Sequence, residues 1–323
     1  MKNTPPPFQI TPLIVSLSSQ IYYTLGVITG AKLSIAPRQQ QKNKIKTIQA
    51  SLAIEGNRLT VEQVSDIFEG KRVLGSIKDI QEVRNAIKLY EMISNLNPVL
   101  ISDFKKAHKI LMDGLIEQNS MWRTTGVAVF SGQEIVHMAP SAKMVPSLME
   151  QLFDFTKKDK TTWLIKACVF HYELEFIHPF IDGNGRMGRL WQQLLLMQED
   201  PVFEFVSVES IIRDHQADYY EALAACDKAA ESTIFIEFCL THILEALQLY
   251  TQSARSPVQD FHSRLLSVQD TFGNNWFTRK EYLSLHKDIS SATASRDLIT
   301  GVTEGILKKK GERNQVMYRF VLS

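Results

Sequence analysis

The stretch His178-Pro179-Phe180-Ile181-Asp182-Gly183-Asn184-Gly185-Arg186-Met187-Gly188-Arg189 runs straight into an apolar helical pattern at Leu190. A glycine-rich turn that opens a helix presents unpaired backbone N–H groups and the positive end of the helix dipole, which together cradle an anion such as phosphate. Arg186 and Arg189 are three residues apart, so they share one face of that helix and are spaced to clamp one polyphosphate. Asp182, immediately before the glycines, is placed to hold a hard divalent cation through one carboxylate. Histidine exchanges protons near neutral pH, which suits His178 to the role of general base. A base, a cation ligand and an anion cradle this close together describe attack of a hydroxyl on a nucleotide phosphate.

Gly183, Gly185 and Gly188 also satisfy GxGxxG, with Glu209 about twenty residues further on, the spacing of a dinucleotide fingerprint. That fingerprint needs a preceding strand in a βαβ unit. Here Trp163, Ala167, Phe170, Leu174 and Ile177 hold a helical period up to the motif, and strand-helix alternation is absent elsewhere, which disfavours dinucleotide binding. A reading in which His178 and Asp182 merely end and cap helices leaves the paired arginines unexplained.

The chain has 323 residues, 44% hydrophobic and 22% charged, an ordinary globular composition that excludes a chain disordered, collagenous or coiled-coil throughout. With 36 Lys and Arg against 35 Asp and Glu the formal charge is +1, so nothing global points to a nucleic-acid or membrane partner. Cys168, Cys226 and Cys239 are too few and scattered for a disulfide framework and form no CxxC pair; a reducing, cytoplasmic setting fits them. The uncharged stretch 3–31 is interrupted by Ser, Thr and Gln, and Leu13, Leu17, Ile21, Leu25 and Ile28 describe one face of a helix on a protein core, so no membrane span is expected. Pro5 to Pro7 and the missing small-residue cleavage site argue against a signal peptide.

Outward from the motif the pattern is mainly α. Helices are expected over about 42–56, with Gly56 as a stop, from Thr60 to Phe68, from Ser76 to Asn95, and from Ser102 to about Leu115 with Ser102 as N-cap. Val127, Val129 and Phe130, then Ile135, Val136 and His137, read as one β-hairpin turning at Ser131 to Gln133. Helical patterns resume over Lys143 to Lys158, Thr161 to His178, Leu190 to Gln198, Gln216 to Ala230 and Ile234 to Tyr250. Pro257 opens a further helix to Phe272, and residues 277–323 hold nine Lys or Arg against five Asp or Glu, a small basic unit on a slightly acidic body. The expected division is 1–99, a helical region, then 100–252, the catalytic core, and 257–323, the tail.

The motif resembles that of the Fic ("filamentation induced by cAMP") domains, HPFx[D/E]GNGRxxR, every specified position of which is met between His178 and Arg189. The resemblance implies a Fic-type helical bundle with one β-hairpin flap, acting as a protein adenylyltransferase that moves AMP from ATP to a Ser, Thr or Tyr hydroxyl of a protein and releases pyrophosphate. It implies His178 as general base and Asp182 as the Mg2+ ligand. Gly183, Asn184, Gly185, Arg186, Met187, Gly188 and Arg189 become the phosphate-binding run, with the two arginines on the β and γ groups. The hairpin becomes a flap whose Val127, Val129, Ile135 and His137 hold the target segment by strand addition. Tyr219-Tyr220-Glu221-Ala222-Leu223 resembles the helix near the adenine, with Tyr220 either a nucleotide contact or a core aromatic. Asp227 stands where several relatives have Asn, a departure that weakens the expected adenine contact. Ser51-Leu52-Ala53-Ile54-Glu55-Gly56 matches the inhibitory pattern [ST]xxxE[GN], which implies that Glu55 pairs with Arg189 and obstructs the γ-phosphate; the plainer alternative is a solvated glutamate.

In the tail, Thr278 to His286, Ser291 to Thr300 and a hairpin around Gly311 resemble a winged helix-turn-helix. DNA contacts by Ser291, Thr293 and Arg296, with Lys308, Lys309, Lys310 and Arg313 on the wing, compete there with a protein-contact or dimerisation role. The leading expectation is a self-inhibited adenylyltransferase with ATP and a protein substrate as partners, itself included. A DNA-binding regulator with a nucleotide-sensing core, and a de-AMPylating enzyme in which Glu55 positions a water, are the alternatives.

Overall fold

The computed structural model describes residues 5–35, 37–131, 134–255, 261–286, 289–311 and 316–321, and the chain divides into two compact units, 1–255 and 256–323. In the first, α1 (Pro12–Gly30) starts at Thr11, whose hydroxyl accepts the Ile14 N–H, and buries Ile14, Leu17, Ile21, Leu25 and Ile28. The stripe runs through Ile14 and leaves Leu13 49% exposed, because a 3.6-residue turn follows the 14, 17, 21, 25, 28 spacing better than a run of fours. The helix expected from residue 42 is α2 (Pro37–Ile54), which starts earlier because Pro37 is tolerated in a first turn; Gly56, at φ +87°, ends the turn that follows it. Next come α3 (Val61–Phe68), with Thr60 and Gln63 forming a capping box, and α4 (Ile77–Glu91), capped by Ser76. In α5 (Ile101–Leu111) the N-cap is Leu100 and Ser102 lies inside; the turn before the helix is closed by Asp103, which accepts the Asn97 N–H.

Strands β1 (Ala128–Ser131) and β2 (Glu134–Met138) form the expected antiparallel hairpin, with Ala128 opposite Met138 and an irregularity between Val129 and Phe130. After α6 (Val145–Lys158) come α7 (Trp163–Ile177) and α8 (Asn184–Glu199), packed side by side at the centre of the core. Every residue from Leu164 to Tyr172 is buried, two and a half turns with no exposed side, the mark of a central helix. The α8 helix begins inside the glycine motif, well before Leu190. Between it and α10 (Gln216–Ala229) lies α9 (Val208–Asp214), too short to show a period in the sequence, and α11 (Thr233–Arg255) closes the unit against α1. By length and composition alone, α1 and the 233–254 part of α11 could cross a membrane; 28% and 61% of their apolar windows are buried inside the protein.

The second unit comprises α12 (Phe261–Phe272), β3 (Phe277–Thr278), α13 (Arg279–Leu285), α14 (Ser291–Thr303), β4 (Leu307–Lys310) and β5 (Met317–Phe320). Its antiparallel sheet has the order β3-β5-β4, so a two-residue strand joins the expected hairpin. Leu265, Phe277, Tyr282, Leu298 and Leu307 form its core, and a buried Arg264–Asp297 pair at 2.7 Å, with the Tyr282 hydroxyl donating to Asp297, ties α12 and α13 to α14. Pro257 and Arg313 lie outside the described residues.

Candidate functional site

The glycine turn is anchored by its own motif. Phe180 is fully buried, stacked on His108 with ring centroids 3.5 Å apart and on Phe104 at 5.5 Å. Asn184 closes the loop reciprocally: its Oδ1 accepts the Phe180 N–H at 2.9 Å and its Nδ2 donates to the Phe180 carbonyl at 3.0 Å. Gly183 sits at φ +87° as the α8 N-cap with no side-chain cap, and a Cβ there would strike the Met112 sulfur. Only glycine satisfies both constraints, and the backbone N–H groups of the first turn are left without side-chain competition. The Gly183 N–H itself goes to Asp182 Oδ1 at 2.6 Å.

His108, buried in α5, fixes the loop from below. Its Nδ1 accepts the Ser120 N–H at 2.8 Å, so the ring proton is assigned to Nε2, which donates to the Asp182 carbonyl at 3.0 Å. Burial pushes its pKa down to about 4, despite the opposing hydrogen bond to Asp182. His171 is likewise buried, with its pKa pushed down to about 3 by burial and then by the Arg189 charge; it bridges Gln192 and the Tyr219 hydroxyl. For both rings the unfolded chain takes up the proton first, so their contribution to stability is intact above pH 6.5 and is lost as pH falls toward 4 and 3. Replacing His108 with Gln should therefore make the acid loss of stability shallower by roughly 1.4 kcal/mol per pH unit between pH 6.5 and 4, measured as urea midpoints.

His178 is the C-cap of α7, in a left-handed backbone conformation (φ 49°, ψ 60°) that side chains other than Gly and Asn rarely adopt. Arg123 holds it there. Its Nε donates to the His178 carbonyl at 2.7 Å, Nη1 to Thr125 at 2.8 Å, and Nη2 to Ile177 at 3.2 Å and to Pro140; its own N–H donates to Pro179 at 2.9 Å. One guanidinium, 2% exposed, thus stitches the motif to both ends of the hairpin segment. Arg123→Ala removes the donor from four carbonyls, that of buried Ile177 and those of Thr125, Pro140 and His178, and should cost about 3 kcal/mol or more in a denaturant titration, with Arg123→Lys recovering only part.

A cavity of about 440 Å³ opens over the turn. His178, Asp182, Gly183, Asn184, Gly185 and Arg189 wall it on the motif side, Tyr220 and Asp227 of α10 on another, and Glu55 enters from the turn after α2. Arg189, 1% exposed, receives three contacts from that segment: Nη2 donates to Glu55 Oε1 at 2.7 Å and to the Ser51 carbonyl at 2.9 Å, and Nε donates to Ser51 Oγ at 3.1 Å. Burial opposes the guanidinium charge, but Glu55, Tyr219 and Glu175 together more than offset it. Arg189 Nη1 has no hydrogen-bond partner among the described residues, and a Cβ on Gly185 would strike Glu55 Oε1 and lie 3.1 Å from that Nη1. The Glu55 carboxylate therefore occupies the mouth of the α8 N-terminus, where an anion would sit.

The remaining expected residues are distributed unevenly. Arg186 does not line the cavity: 4% exposed, it donates to Glu82 of α4 at 3.1 Å and to Asp182 at 2.9 Å. Residues three apart point about 60° from one another on a helix, and here acids on different elements capture the two arginines. Met187 is core, and Gly188 admits His171, whose ring a Cβ would strike. Tyr220 lines the cavity at 48% exposure while Tyr219 is buried beneath it. Asp227, also on the wall, accepts the Tyr172 hydroxyl at 3.1 Å. Val127 is half-buried; the side chains of Val129, Ile135 and His137 lie outside those described. In the second unit Arg296 and Lys308 to Lys310 are exposed, with Lys310 Nζ 4.1 Å from the centroid of the Trp276 ring. Ser51, Glu82, His108, Arg123 and His171 were not singled out from the sequence; only Ser51 carried a signal there, as the first position of [ST]xxxE[GN].

The Fic/DOC family pattern matches residues 98–196. A solved structure of a Fic family protein from Desulfovibrio desulfuricans G20 is 37% identical, with 98% of each chain covered and a TM-score of 0.78. Fic-1 (residues 134–508) from Caenorhabditis elegans shares the fold at a TM-score of 0.62 and 20% identity, covering 76% of this chain and 72% of that one. Among curated proteins, "Protein adenylyltransferase fic-1" of Caenorhabditis briggsae is 28% identical over 62% of this chain and 40% of its own length, and "Protein adenylyltransferase Fic" of Nematostella vectensis 31% identical over 54% and 41%. The chain thus spans about two-fifths of the length of these curated relatives. Near-complete mutual coverage at 37% identity, on a chain whose motif turn, β1–β2 hairpin and central α7–α8 pair are those described above, places it by descent: this protein belongs to the Fic family.

Proposed function

We propose that the protein transfers AMP from ATP to a Ser, Thr or Tyr hydroxyl of a protein, and that Glu55 restrains it. The observation that carries this reading is the convergence of His178, Asp182, the α8 N-terminus and Arg189 on one cavity. The α8 first turn and Arg189 bind phosphate oxygens, and His178 takes the proton of the incoming hydroxyl as oxygen attacks the α-phosphorus and pyrophosphate leaves. Asp182, half-buried beside the cradle with Oδ1 already held by Gly183 and Arg186, presents a lone carboxylate of the kind that holds Mg2+ against nucleotide phosphates. The cation, when bound, offsets charge on the departing pyrophosphate. Arg186 holds Asp182 rather than phosphate, and Tyr220 contacts the nucleoside. The edge of the β1–β2 hairpin receives the target segment. The three cysteines are buried and free, which suits a reducing compartment.

The test is parallel incubation of lysate with ATP labelled at the α or the γ phosphate. Label retained on protein from the α position only supports adenylyl transfer; retention from the γ position only would indicate phosphoryl transfer and reject it. Loss of AMP from premodified protein, dependent on Glu55, would favour the de-AMPylating alternative.

The second unit carries its own reading, duplex DNA binding, because Arg296 on α14 and Lys308, Lys309 and Lys310 on β4 are all exposed. Changing the three lysines together to Ala should weaken duplex binding and flatten its salt dependence by up to about three units of slope. No binding by the parent protein at low salt rejects this role.

A further inference from the structure

Away from the cavity, the α9–α10 junction meets α11 at a group of side chains that the transfer reaction does not use. His215, between α9 and α10, and His242 on α11 lie with ring centroids 4.5 Å apart and their planes tilted by 30°. Glu245, one turn along α11 from His242, reaches both: its Oε2 lies 3.3 Å from His242 Nδ1 and 3.9 Å from His215 Nε2. One ligand atom from each of the three residues falls within 4.8 Å of the others. The opposite ring nitrogen of His215, Nδ1, faces Asp218 Oδ2 at 3.4 Å.

We infer that His215 Nε2, His242 Nδ1 and a Glu245 carboxylate oxygen form a site for one zinc ion that clasps the start of α10 to α11. Two imidazoles and one carboxylate are a zinc donor set, borderline in softness and poorly suited to Mg2+ or Ca2+, which take oxygen ligands. Ligands at the usual zinc distances stand about 3.3 Å apart around a tetrahedron. The Glu245–His242 edge already has that length, and the Glu245–His215 edge needs to close by about half an ångström. His242 is 7% exposed and packed against Phe238 at 4.4 Å, so its ring is held, while His215 and Glu245 are partly exposed and give the ion a route in. Asp218 stands where an outer carboxylate accepts the second N–H of a metal-bound histidine and fixes its tautomer. Three protein ligands leave a fourth position for water. The clasp sits at the foot of the helix whose Tyr220 and Asp227 wall the cavity, and the ion would stabilise the folded unit by mass action.

The experiment uses the full chain, free of any histidine tag and stripped with chelator, in excess Mg2+ to fill oxygen sites. Co2+ is added as the spectroscopic stand-in for zinc, and Zn2+ then displaces it. One equivalent of Co2+ should bind with the visible absorption of a tetrahedral complex, and Zn2+ should bleach it and raise the melting temperature. His215→Gln and Glu245→Gln, both at partly exposed positions that the core does not need, should each weaken Co2+ by more than about tenfold, and Asp218→Asn by about tenfold. Failure of Co2+ to saturate, or saturation that His215→Gln or Glu245→Gln leaves unchanged, overturns the site.

Discussion

His178→Ala is expected to reduce transfer of AMP by about 10²- to 10⁴-fold while ATP affinity changes little, because the base acts on the incoming hydroxyl and not on the triphosphate. The position complicates the choice of residue. His178 holds a left-handed backbone conformation that Ala adopts only at a cost of about 1–2 kcal/mol, so a loss in that variant alone would mix chemistry with strain. Asn accepts the conformation and lacks a comparable base, so His178→Asn should be as inactive as His178→Ala and more stable. Rates at saturating ATP, with nucleotide affinity measured separately, check the pair; an Asn variant as fast as wild type removes His178 from the reaction.

Glu55→Gly is expected to raise transfer at least about tenfold, a lower bound taken from the cost of placing an anion beside another anion at short range. Glu55 Oε1 sits 2.7 Å from Arg189 Nη2 and lies where a Gly185 Cβ would be, so in the proposed reaction it would deny the γ-phosphate both a guanidinium and an approach to the helix end. Removing the carboxylate frees both. Glu55 lies in the turn after α2, not within the helix, so the glycine costs less than the roughly 1 kcal/mol of a mid-helix site. Ser51 keeps its two contacts to Arg189, which should hold the guanidinium in place for phosphate. Arg189→Ala in the Glu55→Gly background should cancel the gain, since both residues act through one contact and cannot contribute additively. Labelling by wild type, the single and the double variant at equal ATP and Mg2+ separates these outcomes; equal labelling by wild type and Glu55→Gly rejects inhibition and leaves the Glu55–Arg189 pair a structural contact.

The parts of this site that were legible in the sequence are those where backbone geometry forces residue type. Gly183 must adopt a positive φ, Gly185 must admit the Glu55 carboxylate, and Asn184 must span the loop, so the run announces itself. The helix that leads into the motif was legible because Trp163, Ala167, Phe170, Leu174 and Ile177 keep a helical period, and the hairpin because its strands alternate around a glycine turn. What escaped was buried polar support. Arg123, His108 and Glu82 act from elements remote in sequence, and single polar residues in helical or loop text carry no pattern. The same limit hid the partners of Arg186: spacing shows that two arginines share a face, but not that Glu82 waits on α4 for one of them. Ser102 failed as an N-cap for a related reason, since Asp103 satisfies the turn instead.

The measurement that reaches the central claim most directly is peptide mapping by mass spectrometry of the Glu55→Gly protein after incubation with ATP and Mg2+, alone and with lysate. The account predicts one adenylyl group on a Ser, Thr or Tyr hydroxyl of a recovered peptide, absent when His178→Asn is added. A phosphate in its place, or an adenylyl group that persists without His178, would contradict it.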